Sequence, residues 1–559
     1  MSVVYSTVSQ PHVRISCPTG HRVPIHTRSV IEVPSTSLRP QRPPVTSASD
    51  LARAVGLRRG ILRGGALEES SDDVRVTGIE LRAQNIVAGD VFAALPGARS
   101  HGATFAADAL SRGAVAVVTD DEGLALMSTD GVPDGVAVLV HPRPRDVLGA
   151  LSAAVYDSPS SKMTVIGITG TSGKTTTSYL VEAALRAGGR TPGLIGTIET
   201  RIGTEPVPSA LTTPEAPNLH AMFAAMYEQG VDTVVMEVSS HALSLGRVDG
   251  TSFAVGAFTN LSQDHLDFHH TFEDYFAAKA RLFAPDSAVR AARAVVCIDD
   301  QWGRRMADIA SATAAPVTVS TDGSGAAGSW TVGAWAPGSD GTQTFEVSHG
   351  DEVLSARLRI PGRYNVANAV LAAAVCAEVG VDPANAFDAM ATVDVPGRMQ
   401  RVERGQSFLA VVDYAHKPAA LDAVLSTLRA STDGRIAVVV GAGGDRDAEK
   451  RPIMGRSAAT AADLVIITDD NPRSEDPAAI RTAIRRGADE VPGDRSGEVR
   501  EISPRDDAID AAVRWARPGD VVLVAGKGHE VGQDVGGTKH PFDDRLVLAE
   551  AIERLRGSM

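Results

Sequence analysis

Two kinds of apolar pattern alternate along this chain. Val165-Ile166-Gly167-Ile168, Val438-Val439-Val440, Leu464-Val465-Ile466-Ile467 and Val521-Val522-Leu523-Val524 are short, continuous apolar runs. They have the length and β-branched content of strands buried on both faces of a parallel sheet. Between such runs lie stretches with helical spacing. Thr271-Phe272-Glu273-Asp274 opens one in the manner of a cap, and Tyr275, Phe276, Ala278, Leu282 and Phe283 form its apolar side. Nearer the N-terminus, Val115-Ala116-Val117-Val118 and Val136-Ala137-Val138-Leu139 alternate with Ala-rich helical segments. Strand and helix in repeated succession predict an α/β protein, and no repeat of solenoid period interrupts the pattern.

The alternation stops and restarts, which divides the chain. Residues 1–48 are rich in Pro, Ser, Thr and Arg, with Glu32 as the only acid and Tyr5 as the only aromatic, so they are expected to form a disordered tail. An Arg- and Ser-rich, acid-poor segment also fits an organelle-targeting peptide, although it lacks a sustained amphipathic pattern, and no apolar stretch suits a secretory signal. Residues 49–160 read as a small α/β domain, 161–398 as a longer one and 399–559 as a third. Pro396-Gly397 and Gly405 lie near the last seam, as breakers should. A length of 559 residues fits several domains better than one core.

Charge narrows the function classes. With 54 Lys and Arg against 68 Asp and Glu, the net charge is −14, which argues against coating nucleic acid or an anionic membrane. Any phosphate must be gripped locally. The three cysteines, Cys17, Cys297 and Cys376, form neither a C-x-x-C pair nor a zinc spacing, so a reducing, cytoplasmic setting is expected. No run of about 18 apolar residues suggests insertion in a membrane.

The first strong chemical signal is a strand, a Gly-rich loop and a helix. Val165–Ile168 leads into Thr169-Gly170-Thr171-Ser172-Gly173-Lys174-Thr175-Thr176, and a helix continues through Tyr179-Leu180-Val181-Glu182. Successive backbone N–H groups and the positive end of a helix can surround a phosphate there. Lys174 would neutralise the β- and γ-phosphates, and Thr175 would offer its hydroxyl to Mg²⁺. The strict G-x-x-x-x-G-K-[ST] spacing is not met, because Gly167 lies one residue too early, so the loop is a variant. Two more strands end in polar clusters, Glu237-Val238-Ser239-Ser240-His241 and Ser262-Gln263-Asp264-His265-Leu266-Asp267. Carboxyl ends of parallel strands are where ligands sit, so Glu237 and His265 are candidate metal or phosphate contacts. By spacing alone Lys279 reads as an exposed mid-helix lysine.

Four motifs occur in one order: Thr-Gly-Thr-Ser-Gly-Lys-Thr-Thr at 169–176, Glu-Val-Ser-Ser-His at 237–241, Thr-Asn-Leu-Ser-Gln-Asp-His-Leu-Asp at 259–267 and Asp-Tyr-Ala-His-Lys-Pro at 413–418. The chain from about 75 to 555 thereby resembles the Mur ligase family, cytoplasmic ATP-dependent amide ligases that build the peptide of bacterial peptidoglycan. The resemblance implies three domains: a UDP-sugar-binding N-terminal α/β domain, a central P-loop ATPase-like parallel sheet and a Rossmann-like C-terminal domain that binds the amino acid. Gly-Ala-Gly-Gly-Asp-Arg-Asp at 441–447, Thr-Asp-Asp-Asn-Pro-Arg at 468–473 and Ala-Gly-Lys-Gly-His-Glu at 525–530 are similar to the family members that add meso-diaminopimelate.

Each site role below is what that resemblance implies. ATP would be held by Gly170, Thr171, Ser172, Gly173, Lys174, Thr175 and Thr176, with Asn365, Arg398, Asp413 and His416 around the adenosine and its phosphates. Lys174, Glu237, His265 and Lys279 would be the catalytic set, with Thr175, Glu237, His265 and Lys279 as Mg²⁺ ligands. Lys279 matches the lysine that the family carbamylates with CO₂. The substrate UDP-MurNAc-L-Ala-D-Glu would meet Leu81, Thr212, Thr213, Ser239, Arg247 and Lys279. Leu81 stands where the commoner Asp-Ser-Arg pattern has serine, so a backbone contact would have to replace the hydroxyl, and Leu245 replaces a glutamine found in some relatives. Asp470, Asn471, Pro472 and Arg473 make the diaminopimelate signature, completed by Arg446, Gly526 and Glu530. A guanidinium suits the distal carboxylate that lysine lacks, and Glu530 would accept from the ammonium.

Other readings start from the same residues. A lysine-adding ligase or a folylpolyglutamate-type ligase shares the loop, and Asn471 and Arg473 argue against both. A non-catalytic nucleotide-binding protein is expected to have lost Lys174, Glu237, His265 or Lys279, yet all four are present. A guanine-specific Asn-Lys-x-Asp segment is not found. The partners expected are small molecules, with no nucleic acid and no membrane, acting on a monomer.

Overall fold

The computed structural model describes residues 38–129, 131–208, 211–265, 268–323, 325, 329–338, 341–493 and 497–557. Among these residues the chain builds three principal sheets, each with helices against it. In the first, the strands run in the order Ala66–Glu68, Arg58–Arg63, Ala137–Val140, Ala116–Thr119, Asp90–Ala93 and Gly78–Glu80. The last four pair in parallel. The second sheet has eleven strands. Its parallel centre places Thr164–Thr169 between Thr233–Glu237 and Val255–Phe258, and antiparallel strands extend both ends. The third runs Gln400–Arg401, Leu409–Asp413, Val521–Ala525, Ile436–Val440, Leu464–Ile467 and Glu498–Glu501.

The continuous apolar runs behave as their composition dictates. Ile436–Val440, Leu464–Ile467 and Val521–Ala525 are buried along their whole length and pair in parallel. Both faces are covered by helices, so no polar alternation is needed. The carboxyl ends of these strands and of the central strands of the second sheet carry the polar clusters, which is where open parallel sheets gather ligands.

One sequence expectation is corrected at the N-terminus. Residues 1–37 of the expected tail lie outside the described residues, but 38–48 are built into the fold. Arg39 donates to Asp90 Oδ1 at 2.7 Å and to Glu80 Oε2 at 3.4 Å. Gln41 N and Arg42 N donate to the Glu228 carboxylate at 2.6 and 2.9 Å. Thr46–Ser47 pairs with Arg75–Val76, and Ala48 is fully buried. Low apolar content told against a core here, yet this segment is ordered by ion pairs to carboxylates more than 35 positions away.

No helix among the described residues is long and apolar enough to cross a membrane. The helix Ala216–Glu228 lies between two packed regions: Ala216, Ala221 and Ala224 join the core of the first sheet, while Leu219, Phe223 and Met226 join that of the second. His220 on this helix is fully buried, with Nε2 3.0 Å from Asp249 O. Burial pushes its pKa from 6.5 down to about 4. Between those two values the unfolded chain carries a proton that the folded chain lacks, so stability falls as pH drops from 6.5 toward 4, by about 3 kcal/mol for this group. His220→Leu is expected to flatten that part of the stability–pH curve, read from urea midpoints across pH 4–7. An unchanged slope would remove His220 as a source of acid sensitivity.

Candidate active site

The phosphate loop takes its shape from two glycines. Gly170 has φ 144° and Gly173 has φ 88°, backbone values that L side chains rarely adopt. A Cβ on Gly170 would run into Thr259 Oγ1, and one on Gly173 into Asn368 Oδ1. The neighbouring strand end braces the loop: Thr259 Oγ1 and Asn260 Nδ2 donate to Ser172 O at 2.7 and 3.1 Å, and Ser172 N donates to Asn260 Oδ1 at 3.1 Å. Thr171 Oγ1 shares a hydrogen bond with Tyr275 OH at 3.0 Å. Thr176 is buried on the helix Lys174–Ala187.

Two amines converge on the inside of this loop. Lys174 Nζ donates to Gly170 O at 3.0 Å and Thr171 O at 2.8 Å. Lys279 Nζ donates to the same Gly170 O at 2.8 Å and lies 4.4 Å from the Tyr275 ring centroid. Helical spacing placed Lys279 on an exposed face, but it is 1% exposed, because its helix packs that face against the loop. Burial, and then the neighbouring Lys174, push its pKa well below the usual lysine range. Burial likewise lowers Lys174, partly offset by Glu237 and Asp264.

Glu237 ends the strand Thr233–Glu237 and is 1% exposed. Its carboxylate accepts from Thr175 Oγ1 at 3.0 Å, Thr197 N at 2.8 Å and Thr197 Oγ1 at 3.0 Å. The residues expected to hold the sugar dipeptide continue from there. Thr197 Oγ1 meets Thr212 Oγ1 at 3.0 Å, Thr213 Oγ1 donates to Glu237 O at 2.8 Å, and Ser239 N donates to Thr213 Oγ1 at 3.1 Å. Arg247 donates to Thr213 O at 3.4 Å and pairs with Glu215 at 2.8 Å. Thr197 was not singled out in the sequence, since a lone threonine after a strand carries no pattern.

His265 sits apart from Glu237, with no hydrogen bond between them. It has φ 53°, its N–H donates to Asp264 Oδ1 at 2.9 Å, and its Nε2 lies 3.4 Å from Asp264 Oδ2. Burial pushes its pKa to about 4 against the pull of Asp264, leaving a neutral imidazole. His241 stands edge-on at 4.8 Å between ring centroids. Asp264 in turn accepts from Lys417 of the third domain.

Around the expected adenosine position, Asn365 donates to Pro361 O at 2.7 Å and accepts from Asn368 at 3.0 Å. Asn368 is the residue that abuts Gly173, so this helix start is tied to the loop. Asp413 is buried, accepts from Met399 N at 2.7 Å and Ala415 N at 2.8 Å, and has its pKa raised by burial. Arg398 covers the Tyr414 ring at 4.6 Å. His416 lies with Nδ1 2.8 Å from Tyr414 O and is pushed by burial to about 4.

In the third domain the expected amino-acid pocket forms one network. Asn471 Nδ2 donates to Glu530 Oε2 at 2.8 Å, and Lys527 Nζ donates to Asn471 Oδ1 at 3.0 Å and Glu530 Oε2 at 3.2 Å, 3.7 Å from Asp470 Oδ1. Lys527 is fully buried. It went unremarked in the sequence because the motif Ala-Gly-Lys-Gly-His-Glu drew attention to Gly526 and Glu530. A Cβ on Gly526 would meet Asp470 Oδ2 at 2.6 Å. After Pro472, Arg473 has φ 51° and donates to Gly444 O at 2.6 Å. Gly443 separates it from the exposed Arg446, and a Cβ there would lie 2.9 Å from the Arg473 guanidinium. In the first domain, Glu80 Oε1 accepts from Leu81 N at 2.8 Å and Arg82 N at 3.1 Å. The Leu81 amide, expected to replace the missing serine contact, is thus already spent on its own turn.

Residues 75–156 match the Mur ligase family catalytic domain, 168–376 the Mur ligase middle domain and 397–528 the Mur ligase glutamate ligase domain. The chain belongs to the Mur ligase family. It is 50% identical over 540 residues to the UDP-N-acetylmuramoyl-L-alanyl-D-glutamate–2,6-diaminopimelate ligase of Corynebacterium efficiens, covering 95% of this chain and 97% of that one. The same-named protein of Streptomyces avermitilis is 49% identical over 93% of this chain and 99% of its own. A solved structure of a ligase of that name superposes with a TM-score of 0.62 at 31% identity, covering 86% of this chain and 95% of that one.

The buried ammonium of Lys527 keeps the Asp470 and Glu530 carboxylates together. Lys527→Met removes it and leaves two anions facing each other, which is expected to cost the third domain about 3 kcal/mol, read by chemical denaturation. A midpoint equal to the parent's would show that the network does not hold the domain.

Proposed function

We propose that this chain joins meso-diaminopimelate to the D-glutamate of UDP-N-acetylmuramoyl-L-alanyl-D-glutamate at the expense of ATP, in the synthesis of peptidoglycan precursors. The observation that carries the reading is the Asn471–Glu530–Lys527 network beside Arg473, in a chain half identical to relatives named for that ligation. Arg473 suits the distal carboxylate of diaminopimelate as a planar, bidentate donor. Arg446 adds a second cation, and the Glu530 carboxylate, oriented by Asn471, receives the distal ammonium.

The chemistry follows from the groups around the phosphate loop. A carboxylate oxygen of the D-glutamate attacks the γ-phosphorus of ATP, the bond to the β-γ bridging oxygen breaks, and ADP leaves. The amine of diaminopimelate then attacks the acyl carbon, loses a proton, and inorganic phosphate departs with the C–O electron pair. Lys174 would exchange the carbonyls of Gly170 and Thr171 for phosphate oxygens, where charge builds up in transfer. The Thr175 hydroxyl and the buried Glu237 carboxylate are hard oxygen donors beside the loop that would hold Mg²⁺ together with phosphate oxygens, while His265 stands apart from them against Asp264. Bound there, the ion supplies neutralisation of phosphate charge. Thr212, Thr213, Ser239 and Arg247 would align the dipeptide with that centre. Every residue used comes from one chain, so a monomer suffices, and a cytoplasmic setting suits an ATP-consuming step.

The decisive assay measures ADP release and product mass with Mg-ATP and UDP-MurNAc-L-Ala-D-Glu, comparing meso-diaminopimelate, L-lysine and no amine. Release only with diaminopimelate is expected; equal turnover with lysine would transfer the chain to the lysine-adding reading. In the same assay Lys174→Ala should abolish ADP formation. Arg473→Ala should raise the KM for diaminopimelate at least tenfold, and an unchanged KM would sink the pocket assignment.

Lys279 carries the second part of the reading. Burial and the adjacent Lys174 favour its neutral amine, the form that adds CO₂: a bond forms from Nζ to carbon and one amine proton leaves. The product is an anion with two oxygens, able to serve the metal and substrate instead of repelling the ion. Lys279→Ala is expected to lose activity by tenfold or more, with formate or acetate restoring part of it. A fully active alanine variant would rule the carbamate out.

A further inference from the structure

Two ion pairs link the second domain to the third among the described residues. One, Arg359 with Glu403 at 2.9 Å, lies near the point where the chain passes between them. The other lies at the phosphate loop. Lys417, in the third domain, donates its ammonium to Asp264 of the second, the residue before His265. Lys417 immediately precedes the helix Pro418–Ser431, directly after His416, so its reach is set by the position of its domain.

The pair is unequal in its surroundings. Lys417 is 39% exposed and Asp264 17%, so the lysine can swing while the carboxylate stays lodged in the second domain. Around them the cleft is crowded with cations. Lys174 feels Lys417 and Arg398, His265 feels Lys417 and Lys174, and Lys450 donates to His416 O at 2.9 Å. Lys174 and Lys279 rest on loop carbonyls and Lys417 on a carboxylate. The Lys174 ammonium rests on neutral carbonyls and that of Lys417 on a single carboxylate, partners that a more highly charged polyphosphate can replace.

We propose that Lys417 is a catalytic cation delivered by the third domain: it leaves Asp264 for a γ-phosphoryl oxygen of ATP and stays on the phosphoryl group as it passes to the substrate carboxylate. The inference rests on the ligase reading above. No bond to Lys417 forms or breaks; it exchanges one anionic partner for another and neutralises charge in transfer, as a donated cation does in other phosphoryl-transfer sites. Because the domain that carries Lys417 also carries the Asn471–Arg473 pocket, the cation reaches the phosphate only when the acceptor's pocket is brought over it. Acyl phosphate formation is thereby tied to closure, which keeps water from the intermediate.

The test is nucleotide binding by calorimetry on the full chain with Mg²⁺, comparing ADP with the non-hydrolysable β,γ-methylene analogue of ATP. Lys417→Met should leave ADP affinity within twofold of the parent and lower the analogue-to-ADP affinity ratio about tenfold. Turnover should fall at least a hundredfold, and Lys417→Arg should recover part of both. Asp264→Asn, which frees the lysine, should keep or raise the ratio. The proposal is overturned if Lys417→Met keeps the parental ratio, or if Lys417→Met and Asp264→Asn weaken both nucleotides alike, as a simple staple between domains would. A parent chain that binds neither nucleotide overturns the ligase reading itself.

Discussion

One carbonyl oxygen, that of Gly170, accepts from the amines of both Lys174 and Lys279, and the architecture around it follows from that crowding. Burial penalises charge on either amine, and the neighbouring Lys174 disfavours a second charge on Lys279. The arrangement persists because the loop is braced from outside by Thr259 and Asn260 and because Glu237 and Asp264 stand close enough to soften the field. An electropositive, rigid hollow is costly for the protein alone and favourable for a nucleotide. The strand Thr164–Thr169 therefore has to lie at the centre of its sheet, where neighbours on either side supply Glu237 and Asn260 from adjacent strand ends.

The third domain solves a different problem. Its buried polar cluster interleaves positive and negative groups instead of segregating them. Lys527 satisfies Asn471 and Glu530 from beneath, while Arg473 and Arg446 lie on the rim. The left-handed backbone at Arg473, at φ 51°, is fixed by hydrogen bonds on both sides, from its N–H to Asp534 O and from Gly536 N–H to its own carbonyl. Such strain is retained where neighbouring structure over-determines it. It turns the guanidinium toward Gly444 O.

Much of this was legible in the sequence, for physical reasons that differ by element. Buried parallel strands announce themselves as unbroken apolar runs, and the Gly-rich loop, with its lysine, has few other uses. The burial of Lys279 was not readable from helical spacing, because the face it occupies is set by a loop a hundred residues earlier. Lys527 and Thr197 were hidden for a related reason: each derives its role from partners distant in sequence. The Glu80-Leu81-Arg82 turn shows the converse, since the departure from the usual serine was visible but the use of the Leu81 amide was not.

The segment from Arg39 to Ser47 read by composition as part of a disordered tail, yet it supplies the counter-ion for Asp90 and Glu80, both buried, and it clasps Glu228 on the helix shared with the second sheet. A protease or a truncation that trimmed the chain to the first apolar helix would therefore do more than shorten it. It would strand two carboxylates beneath the turn at Leu81 and detach the first domain's outer strap from its neighbour, so the natural left-hand limit of the folded enzyme lies before Arg39.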